Sequence, residues 1–326
     1  MTLVMRKLAC LSLVFAFALG CSKSDDNKKP KDEPPTPTPK PEIEPEPEPA
    51  PDPTGGYSLT APADLEYGKL DPNNPEGPDI AVVHGNPQDD EMSAVFLRVP
   101  AKGDAGVHTH TVGYHAVVVS GSPKHWLPGE KKVKSLSPGD YWYQPGGQAH
   151  GDSCDGPDPC VLFILFEGKF DFAPAPDVKK VETGDYKLVR AKDAKWGPMD
   201  PKDKKGKQIA MLNGDPATGP VAFGLQVPGG GEAGLHSHTS DYHALVLAGT
   251  PSHWIEGGEG ENDELGAGTY WFQPGAQVHG DTCRGKDACS LFVFMPEKLD
   301  MIPKAAGGDE DGAEGDEGDE GEGEEG

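Results

Sequence analysis

The sequence has few basic residues for its acidity. Its 29 lysines and arginines stand against 54 aspartates and glutamates, which gives a formal net charge of −25 at pH 7. A nucleic-acid-binding domain concentrates lysine and arginine on one face to neutralise phosphates, and no such basic stripe is present here. We therefore expect no nucleic-acid partner.

The sequence also lacks the pattern of a helical protein. Outside residues 1–20, no segment shows a sustained apolar period of 3.6 residues. Instead, β-branched and aromatic runs of strand length occur at 95–99, 116–119 and 161–166, bounded by turns rich in Gly, Pro and Asp. Many short strands with frequent turns favour a barrel or a sandwich, so the predicted fold class is all-β.

The first twenty residues predict a secretory signal. Arg6 and Lys7 precede an apolar stretch at 8–19 that is too short to span a bilayer comfortably. The stretch ends in Ala18-Leu19-Gly20-Cys21, which resembles the lipobox of bacterial lipoproteins, although Ala stands where Leu is usual. We expect Cys21 to carry a lipid anchor in the outer membrane, with the protein facing the periplasm or the cell surface. The alternative is a plain signal peptide with an unrelated cysteine.

Two further segments have compositions that do not support a packed core. Residues 21–56 are rich in Pro and Glu and predict a disordered, extended tether. Residues 305–326 consist almost entirely of Asp, Glu, Gly and Ala and predict a disordered acidic tail. The folded body is therefore expected between them.

Four cysteines of the body form two matched pairs, Cys154 with Cys160 and Cys283 with Cys289. In an oxidising compartment such pairs indicate two local disulfides. A thiolate metal site is the alternative, and the predicted export argues against it.

The body repeats itself. His108-Thr-His110 returns as His236-Ser-His238, and His150-Gly151-Asp152 returns as His279-Gly280-Asp281, at an offset of 128 to 129 residues (108 to 236, 150 to 279). Self-similarity of this length indicates tandem structural units. We predict two domains, at 57–176 and 177–304.

The histidines follow the repeat, and only His84 among the eleven has no counterpart. His108 and His110 are two apart on a predicted strand, so both project from one face. His115 lies five residues beyond His110, an odd number that would turn it away on an unbroken strand. We therefore expect residues 111–114 to form a loop that redirects His115 towards the others.

These residues resemble the two motifs of the cupin superfamily, Gly-x5-His-x-His-x4-Glu and Gly-x5-Pro-x-Gly-x2-His. The first copy has Gly139, Pro145, Gly147 and His150, and in the second copy Ala276 replaces the second glycine. The resemblance implies two tandem cupin jelly-roll barrels, each holding one divalent metal. His115 and His243 stand where the family commonly has Glu. The predicted metal ligands are His108, His110, His115, His150, His236, His238, His243 and His279.

Four neutral imidazoles would leave the full +2 charge on the metal and favour a bound anion. All-nitrogen ligation suits Zn, Cu or Fe better than Mn. The sequence therefore predicts a transition metal in each domain and a small anionic partner molecule.

His125 and His253 each precede a tryptophan and are predicted as acid–base groups or as residues that orient a ligand, the alternative being a surface His–Trp pair. Tyr143 is a third catalytic candidate because its counterpart is Phe272, the alternative being that it faces the core of the sandwich, where Tyr and Phe are near equivalents. Because Phe272 and Ala276 replace Tyr143 and Gly147 in the second domain, we favour the first domain as the catalytic one. We interpret Gln144 and Gln273 as residues that satisfy strand ends, the alternative being that they are hydrogen-bond donors in the pocket.

No nucleophile motif, nucleotide-binding loop or separate catalytic dyad is visible in the sequence. A metal-dependent oxygenase or lyase acting on a small anionic or dicarbonyl substrate is the leading prediction. The alternative is a non-catalytic module that binds a metal or a small ligand at the cell envelope, and the intact ligands in both copies argue against a storage role. Exposed barrel edges would allow an oligomer.

Overall fold

The computed structural model describes residues 56–258 and 264–304. The predicted signal, Cys21, nearly all of the tether and the acidic tail lie outside the described residues, and these assignments stay predictions. Within the described residues the chain forms β-strands and two one-turn 3-10 helices, Pro62–Asp64 and Ala191–Asp193, with no α-helix. No helix of this part is long and apolar enough to cross a membrane.

The strands of the first repeat are β1 (Ser58–Thr60), β2 (Gly68–Lys69), β3 (Asp79–His84), β4 (Ser93–Val99), β5 (Asp104–Thr109), β6 (Tyr114–Ser120), β7 (Pro123–Trp126), β8 (Tyr141–Gln144), β9 (His150–Cys154), β10 (Cys160–Phe166) and β11 (Ala173–Pro174). The strands of the second repeat are β12 (Lys187–Val189), β13 (Gly197–Pro198), β14 (Gln208–Gly214), β15 (Val221–Val227), β16 (His236–Ser237), β17 (Tyr242–Ala248), β18 (Thr250–Ile255), β19 (Tyr270–Gln273), β20 (His279–Arg284), β21 (Cys289–Met295) and β22 (Ile302–Pro303).

Each repeat combines a seven-stranded sheet with a four-stranded one. The larger sheets run β12-β8-β6-β10-β4-β3-β2 and β1-β19-β17-β21-β15-β14-β13, and the smaller ones run β11-β5-β9-β7 and β18-β20-β16-β22. The all-β prediction of two tandem jelly-roll barrels is confirmed.

The larger sheets are buried on both faces. Along β10, Leu162 and Ile164 face the interior of the first barrel, whereas Phe163 and Leu165 pack against the second repeat. Phe163, for example, lies 5.3 Å from the ring of Tyr270. Burial on both faces explains why residues 161–166 form a continuous apolar run instead of an alternating one.

The opening strand of each repeat lies in the sheet of the other. β1 pairs with β19, and β12 pairs with β8, so that Leu59 faces Trp271 and Leu188 faces Trp142. The predicted domain boundaries of 57–176 and 177–304 follow the repeat and stay a prediction. The reciprocal pairing gives each barrel a strand from its neighbour.

Both predicted disulfides, Cys154–Cys160 and Cys283–Cys289, are confirmed. Each joins the end of one strand to the start of the next, β9 to β10 and β20 to β21. Closing so short a loop is worth about 2 kcal/mol in the chain-entropy description. The disulfides fix the strand that carries His150 or His279 to the adjacent sheet.

Candidate metal centres

Three histidines converge inside each barrel. In the first, β5 supplies His108, the residue after β5 supplies His110, and β9 supplies His150, which pairs in register with His108. One ring nitrogen from each lies within 4.8 Å of the others. The second barrel brings His236, His238 and His279 together in the same way.

Backbone carbonyls fix which nitrogen of each ring faces the cluster. The Nδ1 atoms of His108 and His150 lie 3.0 Å from the carbonyl oxygens of Gly106 and Gln148, and that of His110 contacts the carbonyl of Asp171. A carbonyl only accepts, so each Nδ1 carries the hydrogen and each Nε2 offers a lone pair.

The second barrel repeats this arrangement. The Nδ1 atoms of His236 and His279 lie 2.8 and 3.0 Å from the carbonyls of Gly234 and Gln277, and that of His238 contacts the carbonyl of Asp300. This outer hydrogen bonding is typical of metal-ligating histidines.

A carboxylate joins each cluster. Asp152 lies two residues after His150 on β9 and therefore on the same face. Its Oδ2 is 3.4 Å from Nε2 of His108 and 3.6 Å from Nε2 of His150. The corresponding distances of Asp281 are 3.6 Å to His236 and 3.9 Å to His279. Lone pairs thus converge with no hydrogen between them, an arrangement that a cation would stabilise.

Protonation favours metal binding as well. Burial lowers the pKa of His150 and of His279 to about 3, so both rings are neutral at pH 7. Burial by itself would raise the pKa of the Asp152 carboxyl. The nearby rings of His125, His150 and His108 have the larger combined effect and hold that pKa well below its usual range. The site thus presents neutral imidazoles and an ionised carboxylate.

Tyr114 lies beside the first cluster. Its hydroxyl oxygen is 3.2 Å from Nε2 of His150, and Nε1 of Trp142 donates to it at 3.4 Å. Tyr242 has the same contacts with His279 and Trp271, at 3.3 Å each. Burial raises the pKa of both phenols well above the usual value, so each remains a hydrogen-bond donor.

His125, a predicted catalytic residue, is buried beside the cluster and not at the surface. Its Nδ1 lies 2.7 Å from Oδ1 of Asp152, and its Nε2 lies 3.2 Å from Oε1 of Gln144. The amide nitrogen of Gln144 donates to Oε1 of Gln148 at 2.9 Å, which fixes the orientation of the amide. His125 therefore lies between Asp152 and Gln144, and its Nδ1 donates to the carboxylate and orients it.

His253 makes the same contacts in the second barrel, 2.7 Å to Asp281 and 3.0 Å to Gln273. Gln144 and Gln273 thus contact the buried histidines, and their amide nitrogens also donate to the carbonyls of Pro145 and Pro274 at 3.3 and 3.4 Å, as expected of residues that satisfy strand ends. The acid–base role of His125 and His253 stays a prediction.

The prediction that His115 and His243 are metal ligands is wrong. Residues 110–113 do form a loop between β5 and β6, but β6 begins at Tyr114 and leaves His115 pointing away from the barrel interior that Tyr114 and Ala116 face. Its Nδ1 is 2.8 Å from the hydroxyl of Tyr141, and its ring packs 4.7 Å from Phe294 of the other repeat.

His243 likewise lies between the repeats. Its Nδ1 is 2.8 Å from the hydroxyl of Tyr270, and its ring is 5.0 Å from His84. The potential ligands of each barrel are therefore three imidazoles, with one carboxylate beside two of them, and the predicted set of four neutral ligands is wrong.

Tyr143, the third predicted catalytic residue, is also outside the barrel interior. It pairs in register with His115, and its hydroxyl donates to Glu167 at 3.4 Å. Burial, assisted by Glu167, raises the pKa of Tyr143 to about 12. Tyr143 is therefore positioned at the contact between the repeats and away from the histidine cluster.

Asp152, Tyr114 and their counterparts were missed by sequence reasoning. Strand alternation was the signal for Asp152, which lies two residues after His150 on the same strand. The exact return of His-Gly-Asp in the second copy points to the same residues.

Comparisons with known proteins agree with this fold. Residues 59–173 match a family model described as a domain of unknown function (DUF4437), and residues 185–297 match the ChrR Cupin-like domain. The chain belongs to the cupin superfamily and is a bicupin, with one such domain in each repeat. No curated protein sequence matches it.

Solved structures share the fold at low identity. A provisionally assigned dioxygenase from Nostoc punctiforme is 14% identical, with 77% of this chain and 87% of that chain covered and a TM-score of 0.62. The Lactobacillus farciminis oxalate decarboxylase formate complex is 14% identical, covers 75% and 88%, and has a TM-score of 0.52. A mutant of Bacillus subtilis oxalate decarboxylase is 14% identical, covers 75% and 78%, and has a TM-score of 0.51. At these identities the likeness shows the fold alone.

Proposed function

We propose that each barrel binds one divalent transition metal through three histidines and one aspartate, and that the protein is a metal-dependent enzyme of the oxygenase or lyase type. The convergence of lone pairs from His108, His150 and Asp152, with no hydrogen between them, is the observation that carries the proposal. Because His236, His279 and Asp281 repeat it, we assign a metal to both barrels.

A bound metal would act as a Lewis acid towards an oxygen of a small anionic or dicarbonyl substrate. The chain supplies the surroundings. Backbone carbonyls hold the three imidazoles in the ligating tautomer, and His125 orients the carboxylate. The phenol of Tyr114 can donate a hydrogen bond to a group bound beside His150.

The ligand set also bears on which metal is bound. Three imidazole nitrogens still suit Zn, Cu or Fe. A carboxylate lowers the net charge of a divalent site from +2 to +1 and makes Mn more acceptable than an all-nitrogen set would. Bacillus subtilis oxalate decarboxylase, which shares the fold, has Mn(II) centres. We propose Zn, Cu or Fe first and keep Mn as a candidate.

The alternative proposal is a non-catalytic binding module, and one feature of the first barrel favours it there. The ring of Phe172 stacks on His108 at 4.5 Å, and Phe170 lies 5.5 Å from His110. These rings occupy space that a substrate would need next to the ligands.

We also propose that the protein is exported and lipid-anchored at Cys21. The two disulfides support an oxidising compartment, because such bonds are rare where thiols are kept reduced. Labelling with a radioactive fatty acid should mark the wild type and not Cys21→Ala, and equal labelling of both would contradict the anchor.

Metal analysis of protein matured in the periplasm tests the central proposal. We expect about two equivalents of transition metal per chain, followed by oxygen consumption or substrate loss in a screen of dicarbonyl and phenolic acids. Absence of metal from protein that is folded and has both disulfides closed would contradict the proposal. Metal without turnover on any substrate would favour the binding module.

A further inference from the structure

The two barrels keep identical residues at the histidine clusters but differ in the walls around them. Phe166, Phe170 and Phe172 of the first barrel correspond to Met295, Leu299 and Met301 of the second. Three flexible side chains thus replace three aromatic rings beside the ligands. The ring of Phe172, which stacks on His108 in the first barrel, therefore has no counterpart beside His236 in the second.

The second barrel contains a cavity of about 80 Å³ next to its cluster. Its wall is mostly apolar, and the polar groups at it include His236, His238 and Asp281. One buried water needs roughly 10–15 Å³ of accessible volume, so the cavity has room for a small organic molecule. Concave apolar sites with a few converging polar groups are typical of small-molecule binding.

Lys207 also lines this cavity. It lies directly before β14, where the amide of Met199 donates to its carbonyl at 2.8 Å. Its counterpart is Pro78, whose carbonyl accepts from Leu70 at 3.0 Å, so the backbone is the same in both repeats and only the second has an ammonium here. The difference between the sites is therefore one of charge as well as shape.

The ammonium of Lys207 makes no hydrogen bond and no ion pair at 4.0 Å or less within residues 56–258 and 264–304. Burial lowers its pKa, and the charge of Asp281 opposes that effect. A half-buried cation in an apolar wall is costly unless an opposite charge approaches it. Asp281 itself contacts His236, His253 and His279 at 3.6, 2.7 and 3.9 Å, so it is engaged elsewhere.

We propose that the second barrel binds a small carboxylate, which Lys207 holds at the cavity beside the metal-binding histidines. The inference rests on the proposed function, because Asp281 repels an anion unless a metal neutralises it. The first barrel, with Pro78 in place of the lysine and Phe172 on its first histidine, does not bind the carboxylate. Lys207 is thus a specificity-determining residue of one site only.

Acetate binding to zinc-loaded protein tests the proposal, measured by isothermal titration calorimetry with metal content determined in parallel. Two single-site variants assign the binding: His150→Ala leaves the metal of the second barrel, and His279→Ala leaves that of the first. We expect acetate to bind His150→Ala as it binds the wild type and not to bind His279→Ala.

Substitutions of the lysine give the decisive comparison. Lys207→Met keeps the length of the side chain and removes its charge, and should weaken acetate binding about 10-fold to 100-fold, the usual range for a charged hydrogen bond. Lys207→Arg should restore most of the affinity. Lys205→Met, on the exposed turn two residues away, is the matched control and should bind acetate normally.

The outcomes separate the two proposals. Unaltered acetate affinity in Lys207→Met with both metals bound overturns the role of Lys207 and leaves the metal sites intact. Acetate binding that survives in His279→Ala overturns the assignment to the second barrel. Absence of zinc from the wild type overturns the proposed function and this inference together.

Discussion

The two barrels carry the same cluster in different surroundings. The histidine, aspartate, tyrosine and glutamine contacts agree to within about 0.3 Å between the repeats, for example 3.4 Å for His108–Asp152 and 3.6 Å for His236–Asp281. The walls have diverged, with aromatic rings in the first and a cavity lined by Lys207 in the second. The proposed metal ligands are therefore alike in the two barrels, whereas the walls that would contact a bound ligand differ.

This comparison reverses the ranking that the sequence predicts. Tyr143 was one reason to favour the first domain, and it lies between the repeats, away from the cluster. Gly147 was the other, and Ala276 adopts the same left-handed backbone at φ 61° that Gly147 adopts at φ 72°. The cavity, and an ammonium with no partner among the described residues, favour the second barrel for the proposed chemistry.

Removing one histidine from each barrel should have the largest effect. His150→Ala and His279→Ala should each lose one metal equivalent. Each variant keeps only two of the three imidazoles in one barrel, which should greatly weaken metal binding there. Turnover, if the enzyme proposal holds, should survive in His150→Ala and vanish in His279→Ala. Metal content and substrate loss are the two measurements. Turnover lost only with His150 would restore the first barrel as the active one.

Replacing each carboxylate tests the fourth ligand. Asp152→Asn and Asp281→Asn should each weaken metal binding at their own site about 10-fold to 100-fold, the range found when a supporting group of a metal site is removed. Competition with a chelator of known affinity would measure this. His115→Gln is a matched control because His115 lies outside the cluster and should leave both affinities unchanged. A loss in His115→Gln equal to that in Asp152→Asn would contradict the assignment.

Much of this architecture is visible in the sequence, and the errors have one physical cause. The internal repeat, the paired cysteines and the spacing of His108 and His110 depend on local pattern, which a sequence displays directly. His115 was misassigned because the loop before it was expected to turn it inward, whereas alternation along β6 places Tyr114 and Ala116 inside the barrel. Asp152 was overlooked although the same alternation along β9 predicts its position.

Other features depend on contacts between distant segments. The exchange of β1 and β12 between the barrels joins residues that no local pattern connects. The isolated His84 acquires its environment only when the repeats pack, where it meets Phe272 at 4.0 Å and His243 at 5.0 Å. In the sequence, nothing distinguishes Lys207 from the lysines near it, and only the folded barrel places it at the cavity.

The histidines between the repeats should make the protein sensitive to acid. Burial, and then His84 and His115, lower the pKa of His243 to about 3. An unfolded chain binds this proton near pH 6.5, so the free energy of unfolding falls as the pH drops from 6.5 towards 3. Between pH 7 and pH 4.5 we expect His243 alone to cost about 2–3 kcal/mol.

Urea denaturation of metal-free wild type and His243→Gln at both pH values measures this cost. The variant should lose less stability on acidification than the wild type, whatever the other histidines contribute, because their effect is common to both proteins. His84→Asn copies Asn213 of the second repeat and should give a smaller change in the same direction. An equal loss in wild type and His243→Gln would show that His243 does not resist protonation in the folded state.

The smallest expected effect concerns the turn before the last histidine of each barrel. The amides of Gly147 and Ala276 donate to the carbonyls of His110 and His238 at 2.7 Å in both repeats, so the turn is intact with either residue. Alanine at positive φ costs about 1–2 kcal/mol, whereas glycine does not. Ala276→Gly should therefore stabilise the protein by about 1 kcal/mol, and Gly147→Ala should destabilise it by a similar amount, in urea denaturation. A Cβ at Gly147 would meet no atom within 4 Å, so the predicted loss reflects backbone strain and not a clash.

Metal affinity should stay unchanged in both variants, because the hydrogen bond that positions the ligand strand is already the same. A change in metal affinity at the second site alone, on Ala276→Gly, would instead mean that the methyl group displaces His279 and that the two clusters are less alike than their distances indicate.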